Sequence, residues 1–245
     1  MDLYQLTEKL AAEADTLKFN GRISAIYNPL QYAQEPHLAY ITKYGAGRKK
    51  VLFLGMNPGP WGMAQTGVPF GEISAVRDWL GIDGAVNRPE HEHPKRPIEG
   101  FSCQKSEVSG RRLWGLFREQ FGAPEAFFHE HYVANYCPLV FMEESGKNLT
   151  PDKLPAREAS ELYTICDRYI SGLIELMSPE FLIGIGKFAA KRLSIVAEAM
   201  PVDMIRGVTI DSVLHPSPAS PAANRGWAEA ARKKLYSIGI WKHED

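Results

Sequence analysis

Cysteine is scarce and scattered in this chain of 245 residues: Cys103, Cys137 and Cys166 are odd in number and show no C-x-x-C spacing. That usage argues against a disulfide framework and against the thiolate clusters that hold zinc or iron–sulfur centres, and leaves three reduced core thiols. Long apolar runs are also missing. No stretch approaches the roughly 18 apolar residues a spanning helix needs. The N-terminus, MDLYQLTEKLAAEADTL, patterns as an amphipathic acidic helix rather than a signal peptide. The expectation is an intracellular protein with no membrane partner, cytoplasmic in a bacterium or nuclear in a eukaryote. Neither charge dominates: the formal net charge is −1 and the pI about 6.7, so composition announces no polyanionic partner. Several nucleotide and hydrolase motifs are absent as well. Neither GxGxxG nor GxSxG occurs, and Gly184-Ile185-Gly186-Lys187 lacks the spacing and Ser/Thr of a P-loop.

What is present is an ordinary globular composition, 44% hydrophobic and 23% charged, large enough for one buried core. A single domain over residues 1–245 is expected. Strand-like apolar runs occur at Lys50–Gly55, Tyr132–Tyr136, Phe181–Ile185 and Val208–Leu214. Helical periodicity marks Leu3–Leu17, Glu35–Lys43, Glu72–Leu80, Gly110–Phe121, Ala156–Met177, Lys187–Ala199 and Ala222–Ser237, with Pro155 suited to a first helical turn. The alternation predicts an α/β fold: a mainly parallel four-stranded sheet sandwiched between helices. Asn87–Pro97, polar and proline-rich, reads as a surface loop.

Residues 55–71, GMNPGPWGMAQTGVPFG, place five glycines and three prolines around Asn57 directly after the first strand. Such a segment must turn sharply and expose backbone N–H groups, and ligands bind at strand ends of this kind in open α/β sheets. Two other strands end in a distinctive polar residue, Asn135 and His215, which lie 78 and 158 positions beyond Asn57. Parallel strands bring such ends to one edge. Two amides and an imidazole suit a neutral hydrogen-bonding ligand such as the edge of a nucleobase, and Phe70 offers a stacking face. Taken singly, Asn57 is equally a turn residue before Pro58, Asn135 a strand-end amide satisfied by backbone, His215 a residue at a helix start, and Phe70 a core side chain. The constellation is more specific than its parts. His91 and His93, with His129 and His131, form i, i+2 pairs that read as surface residues, and no metal is expected. Arg225, Arg232, Lys233, Lys234 and Lys242 against Glu229, and separately Lys187, Lys191 and Arg192, form two basic clusters, each of which alone reads as a solvated helix face.

GMNPGPWGMAQTGVPFGE and HPSPASPAANRGW resemble the two signature motifs of the single-strand-selective monofunctional uracil-DNA glycosylases, a branch of the uracil-DNA glycosylase superfamily. An asparagine in the first motif, where other branches carry an acid, and the lack of clustered cysteines point to this branch. The resemblance implies a three-layer α/β/α sandwich and a cofactor-free glycosylase acting as a monomer on damaged single- and double-stranded DNA. It implies that Asn57 positions the attacking water and that His215 stabilises the departing base. Gly55, Met56, Gly59, Gly62, Met63, Phe70 and Asn135 would bind the base, with Gly59, Gly62 and Met63 leaving room for a water beside C5. Uracil, 5-hydroxymethyluracil and related oxidised uracils are the implied substrates, with thymine refused. Separately, a roomy C5 side and a backbone-lined pocket would tolerate deaminated purines such as xanthine or hypoxanthine. DNA contacts would come from Pro216, Ser217, Pro218, Ala219, Ser220, Asn224, Arg225 and Lys187. Ala219 stands where vertebrate members carry arginine, and Trp61 replaces their common phenylalanine. With no lysine in either motif, a Schiff-base lyase step has no obvious nucleophile. A non-catalytic damage-binding module and a hydrolase of free nucleosides are the competing functions.

Overall fold

A computed structural model describes residues 1–242; residues 243–245, the end of the expected 1–245 domain, lie outside the described residues. In chain order the elements are α1 (Leu3–Thr16), β1 (Ile23–Tyr27), α2 (Pro29–Tyr32), α3 (Gln34–Tyr44), β2 (Val51–Gly55), α4 (Met63–Thr66), α5 (Val108–Phe121), α6 (Pro124–Glu130), β3 (His131–Asn135), β4 (Val140–Glu143), β5 (Asn148–Leu149), α7 (Ala156–Met177), β6 (Phe181–Ile185), α8 (Lys187–Ala199), α9 (Val202–Ile205), β7 (Thr209–Val213), α10 (Pro221–Asn224) and α11 (Trp227–Ser237).

The central sheet has the order β3-β2-β6-β7 and every pairing in it is parallel. Its inner strands, β2 and β6, read as unbroken apolar runs because helices cover both faces; β2 is buried at every position, β6 at all but Phe181, and the edge strand β3 is buried throughout as well. Alternation along β2 sends Phe53 against Phe117 of α5 and Phe127 of α6, and therefore Leu52 and Leu54 toward the opposite helical layer. In that layer α1, α7 and α8 pack side by side. Asp2 caps α1 reciprocally with Gln5, which satisfies two of the free N–H groups at the helix start. The three cysteines are buried and unpaired, and no helix among the described residues is long and apolar enough to cross a membrane.

Several details depart from the sequence reading. A second, antiparallel sheet, β1-β4-β5, stands beside the first and was not anticipated, because its strands are short and β1 pairs with β4 across more than a hundred residues, as in Ile26↔Phe141. The helix expected over Ala222–Ser237 is two helices, broken at Gly226, whose φ of +130° no helix accommodates. Within Glu72–Leu80 the residues Ala75–Trp79 form a π-helical turn. Pro155 precedes the first turn of α7 as its cap rather than sitting in it. Asn87–Pro97 is pinned to the body of the protein: Tyr32 O accepts from Asn87 N at 2.8 Å and the Tyr27 hydroxyl from His93 N at 2.7 Å.

Candidate active site

β2 is flanked by β3 on one side and β6 on the other, so the chain changes direction across it and opens a crevice beyond the strand ends. The pairing of β2 with β3 continues past the strands. Gly55 O accepts from Tyr136 N at 3.0 Å and Met56 O from Cys137 N at 2.9 Å, which holds the Gly/Pro segment beside Asn135. Asn57 Nδ2 then donates to the carbonyls of Leu139 (3.3 Å) and Pro58 (3.4 Å). Both partners accept only, so the amide orientation is fixed and Oδ1 is left as an acceptor for the pocket. Asn148, on β5 of the unanticipated sheet, donates to Pro58 O at 3.3 Å and braces the same segment from outside.

Asn135 is 7% exposed, and its Nδ2 lies 3.2 Å from Met63 Sδ. Gly55 must be glycine because a Cβ there would overlap both Asn135 Oδ1 and the Phe70 ring. Phe70 itself holds φ at +53°, a conformation uncommon outside glycine, and its carbonyl is clamped by Glu72 N (2.7 Å) and Trp114 Nε1 (3.0 Å). The clamp aims its ring at the pocket, 6.2 Å between centroids from His215. His215 follows β7 and backs onto Gly186. Burial lowers its pKa below the ordinary 6.5, so the imidazole is neutral at physiological pH.

Asn57, Asn135, Phe70 and His215 thus meet around one cavity of about 480 Å³. Met56 and Gly59, expected at the base, and Ser217 and Pro218, expected at the DNA, line it, and Trp61 stands at its wall. Gly55, Gly62 and Met63 are not in the lining and adjoin it through Asn135, Phe70 and Glu107. Sequence reasoning missed Ser106, Glu107, Ser109, Asn148 and Thr150, which also line it. Glu107 matters most. Its carboxyl fills the space expected to stay open beside Gly59 and Gly62, where any added Cβ would collide with it. Burial first, and then the charge of Glu72, push its pKa up from 4.5 to about 7. The only sequence signal for it was an acid immediately before the apolar pattern of α5.

The expected metal-free character concerns His91, His93, His129 and His131. His91 and His129 are exposed, but His93 and His131 are buried, which corrects their reading as surface residues. His131 stacks on Phe53 and Phe127 and is bound through Nδ1 to Phe127 O at 2.9 Å. Among the described residues no group of three His, Cys, Asp or Glu side chains is placed to hold a metal.

The sequence model of the uracil DNA glycosylase superfamily matches residues 42–236, which include every one of these pocket groups. The chain belongs to that superfamily. The single-strand selective monofunctional uracil-DNA glycosylase of Rattus norvegicus is 49% identical over 232 residues, 95% of this chain and 82% of that protein. Those of Mus musculus and Bos taurus are 48% and 47% identical, again over 95% of this chain. Such likeness assigns the chain to the single-strand selective monofunctional family within the superfamily. Among solved structures, Pedobacter heparinus SMUG2 covers 96% of this chain and 97% of its own at a TM-score of 0.65 and 20% identity, a likeness of fold.

On the outer side of this superfamily member's pocket, Arg112 of α5 organises the segment after His215. It donates to Pro216 O (3.0 Å), Ser217 O (3.4 Å) and Asn224 Oδ1 (2.9 Å), while Asn224 Nδ2 donates to Pro218 O at 2.9 Å. Asn224 is therefore committed to shaping this loop, and Pro216 is buried. Ser220 caps α10 through Ala223 N. Ala219, Arg225 and Lys187 are exposed. The basic clusters are less free than a solvated face requires: Arg192 pairs with Asp167 and lies over Tyr163, Arg232 pairs with Glu119 and Glu229, and Lys234 pairs with Asp211 at 2.7 Å.

Proposed function

We propose that the pocket hydrolyses the N-glycosidic bond of uracil, and of oxidised uracils such as 5-hydroxymethyluracil, in DNA. The observation that carries this reading is the convergence of Asn57, Asn135, Phe70 and His215, from three strand ends and one loop, on a single cavity. Family membership supports its coarser part, a monofunctional uracil-DNA glycosylase of DNA repair.

In this mechanism Asn57 Oδ1 accepts a hydrogen bond from a water and holds it below the anomeric carbon. A neutral amide is a poor base, so its contribution is orientation. The water oxygen bonds to C1′ as the C1′–N1 bond breaks, the bonding pair departs with the base, and the water's proton is finally taken by that base. Negative charge growing on uracil O2 is met by the neutral His215 imidazole as donor, stabilisation of the oxyanion type. Asn135 pairs with O4 and N3–H and so refuses cytosine, whose donor and acceptor are reversed at that edge. Phe70 stacks on the ring. A base inside duplex must first be flipped out, and the Arg112-braced loop from Pro216 to Ser220 is suited to filling the gap, with the exposed Arg225 shortly after it and the exposed Lys187 beside the Gly186 that His215 backs onto to serve the phosphates. Among the described residues no lysine lines the cavity, which supports hydrolysis without a lyase step. The cavity volume of about 480 Å³ can hold xanthine or hypoxanthine, but the room beside Gly59 and Gly62 on which their admission was expected is taken by the Glu107 carboxyl.

Incubation with a single-stranded oligonucleotide containing one uracil, followed by alkali, tests the reading. Strand cleavage at the uracil is expected. An intact strand after alkali would leave a damage-binding module, and cleavage of free nucleosides without salt-sensitive DNA binding would favour the nucleoside hydrolase.

A further inference from the structure

Glu107 has no part in the mechanism above, yet it is built into the same wall. Although the residue as a whole is partly exposed, its Oε2 is closed off from solvent and has no hydrogen-bond partner. The carboxyl rests on Gly59 and Gly62, two positions at which any side chain would displace it. The other oxygen, Oε1, is not closed off in this way and no side chain of the described residues bonds it, so the carboxyl meets the cavity it lines through an oxygen whose bonding a ligand atom or its water can complete.

The order of groups around the pocket decides which edge of the base it meets. With the base oriented as above, Asn135 Nδ2 serves O4. That nitrogen lies 3.2 Å from Met63 Sδ, and the residue before Met63 is Gly62, on which the Glu107 carboxyl rests. The atom that follows C4 around the pyrimidine is C5. His215 is at the other end, approaching Phe70 and backing onto Gly186. We propose that the Glu107 carboxyl reads the C5 substituent of the bound pyrimidine, hydrogen-bonding a polar group such as hydroxymethyl and rejecting methyl. The inference rests on the base-excision reading of the pocket.

The chemistry of the group fits this role. Burial and the neighbouring Glu72 push its pKa up to about 7, so near neutrality it offers both an O–H donor and an acceptor. A hydroxymethyl group both donates and accepts and is satisfied by either form. Hydrogen at C5 leaves space for a bridging water, whereas a methyl group displaces that water and bonds to nothing.

The test compares excision of uracil, 5-hydroxymethyluracil and thymine from one single-stranded oligonucleotide by the wild type, Glu107→Gln and Glu107→Met. The readout is the ratio of kcat/KM for 5-hydroxymethyluracil to that for uracil, because uracil cleavage by the same variant carries any general loss. Glu107→Gln, which keeps a donor and an acceptor, should retain the ratio. Glu107→Met should lower it about tenfold, the loss of one hydrogen bond. Gly59→Ala provides an independent route to the same change, since its methyl pushes the carboxyl aside. For any variant too slow to assay, protection against thermal unfolding by the free bases replaces the cleavage ratio. An unchanged ratio in Glu107→Met and Gly59→Ala overturns the proposal, as does a wild type that removes uracil but not 5-hydroxymethyluracil. A wild type that removes neither base sinks the base-excision reading itself.

Discussion

Replacing His215 by alanine tests the part of the mechanism on which the others depend. Asn57 is an amide whose nitrogen is held by two carbonyls, so it orients water but removes no proton, and the barrier must be lowered mainly at the leaving group. The imidazole is neutral, since burial holds its pKa below 6.5, and it stands within 6.2 Å of the Phe70 ring on which the base would stack. Loss of one such donor typically slows reaction by about 10²–10³, or about 3–4 kcal/mol. The lower end is expected here, because the donor is uncharged and water can enter the vacated space beside Phe70. Single-turnover excision from a uracil-containing single strand, read after alkali, measures the defect. The same assay with 5-fluorouracil separates leaving-group stabilisation from simple damage to the pocket. Fluorine already stabilises the departing anion, so the defect should shrink several-fold with that base. Equal defects on the two bases, or a loss with uracil below about tenfold, would refute the assignment. So would a titration between pH 6.5 and 8 in the wild type that is missing from the variant, because it would mean an imidazole charged near neutrality.

Three other outcomes are expected. Asn57→Ala should leave binding of uracil-containing DNA largely intact in a mobility-shift assay while slowing excision by about 10² or more, and unchanged turnover would remove Asn57 from the mechanism. Ala219→Arg, at an exposed position of the Arg112-braced loop, should raise activity on duplex relative to single strands, and a constant ratio would put the wedge elsewhere. Acid should destabilise the fold through His37 and His131, both buried and both held at a pKa of about 4 against an ordinary 6.5. The unfolded chain binds protons at these sites below pH 6.5 and the folded one does not until about pH 4, so stability falls as pH drops through that window, by about 2 kcal/mol per histidine at pH 5. Glu107, raised from 4.5 to about 7, works in the opposite sense over the same window by about 2 kcal/mol, so the substitution is the test: His131→Phe, suited to the stack on Phe53 and Phe127, should reduce the stability lost between pH 7 and pH 5 in urea unfolding by about 2 kcal/mol.

The inner strands of the central sheet were legible because they are buried on both faces, and a strand so placed writes itself as a continuous apolar run. Asn57 and Asn135 are polar groups that close such buried strands, and His215 follows the short apolar pair Val213–Leu214 at the end of the less buried β7. The second sheet was not legible. Val140–Glu143 and Asn148–Leu149 are too short to distinguish from loop, and what makes them a sheet is the pairing of Val140–Glu143 with β1, far away in the chain, on one side and with Asn148–Leu149 on the other. Its consequence reaches the site, since Asn148 braces the carbonyl of Pro58. Charge was likewise ambiguous, because whether Arg192, Arg232 and Lys234 face solvent or Asp167, Glu119 and Asp211 depends on which helices become neighbours.

By itself the sequence determined the residue types of the site, the strands that carry them and the family motifs in which they lie, all properties of local composition and spacing. Tertiary structure alone decided that Asn57 presents its oxygen, that His215 is neutral, and that the glycines at 59 and 62 accommodate a carboxyl rather than empty space. The physical reason is common to all three. Hydrogen-bond orientation, desolvation and close approach depend on atoms brought together from distant parts of the chain, and Glu107, lone and unremarked in sequence, acquires its character only when α5 sets it against the loop that follows β2.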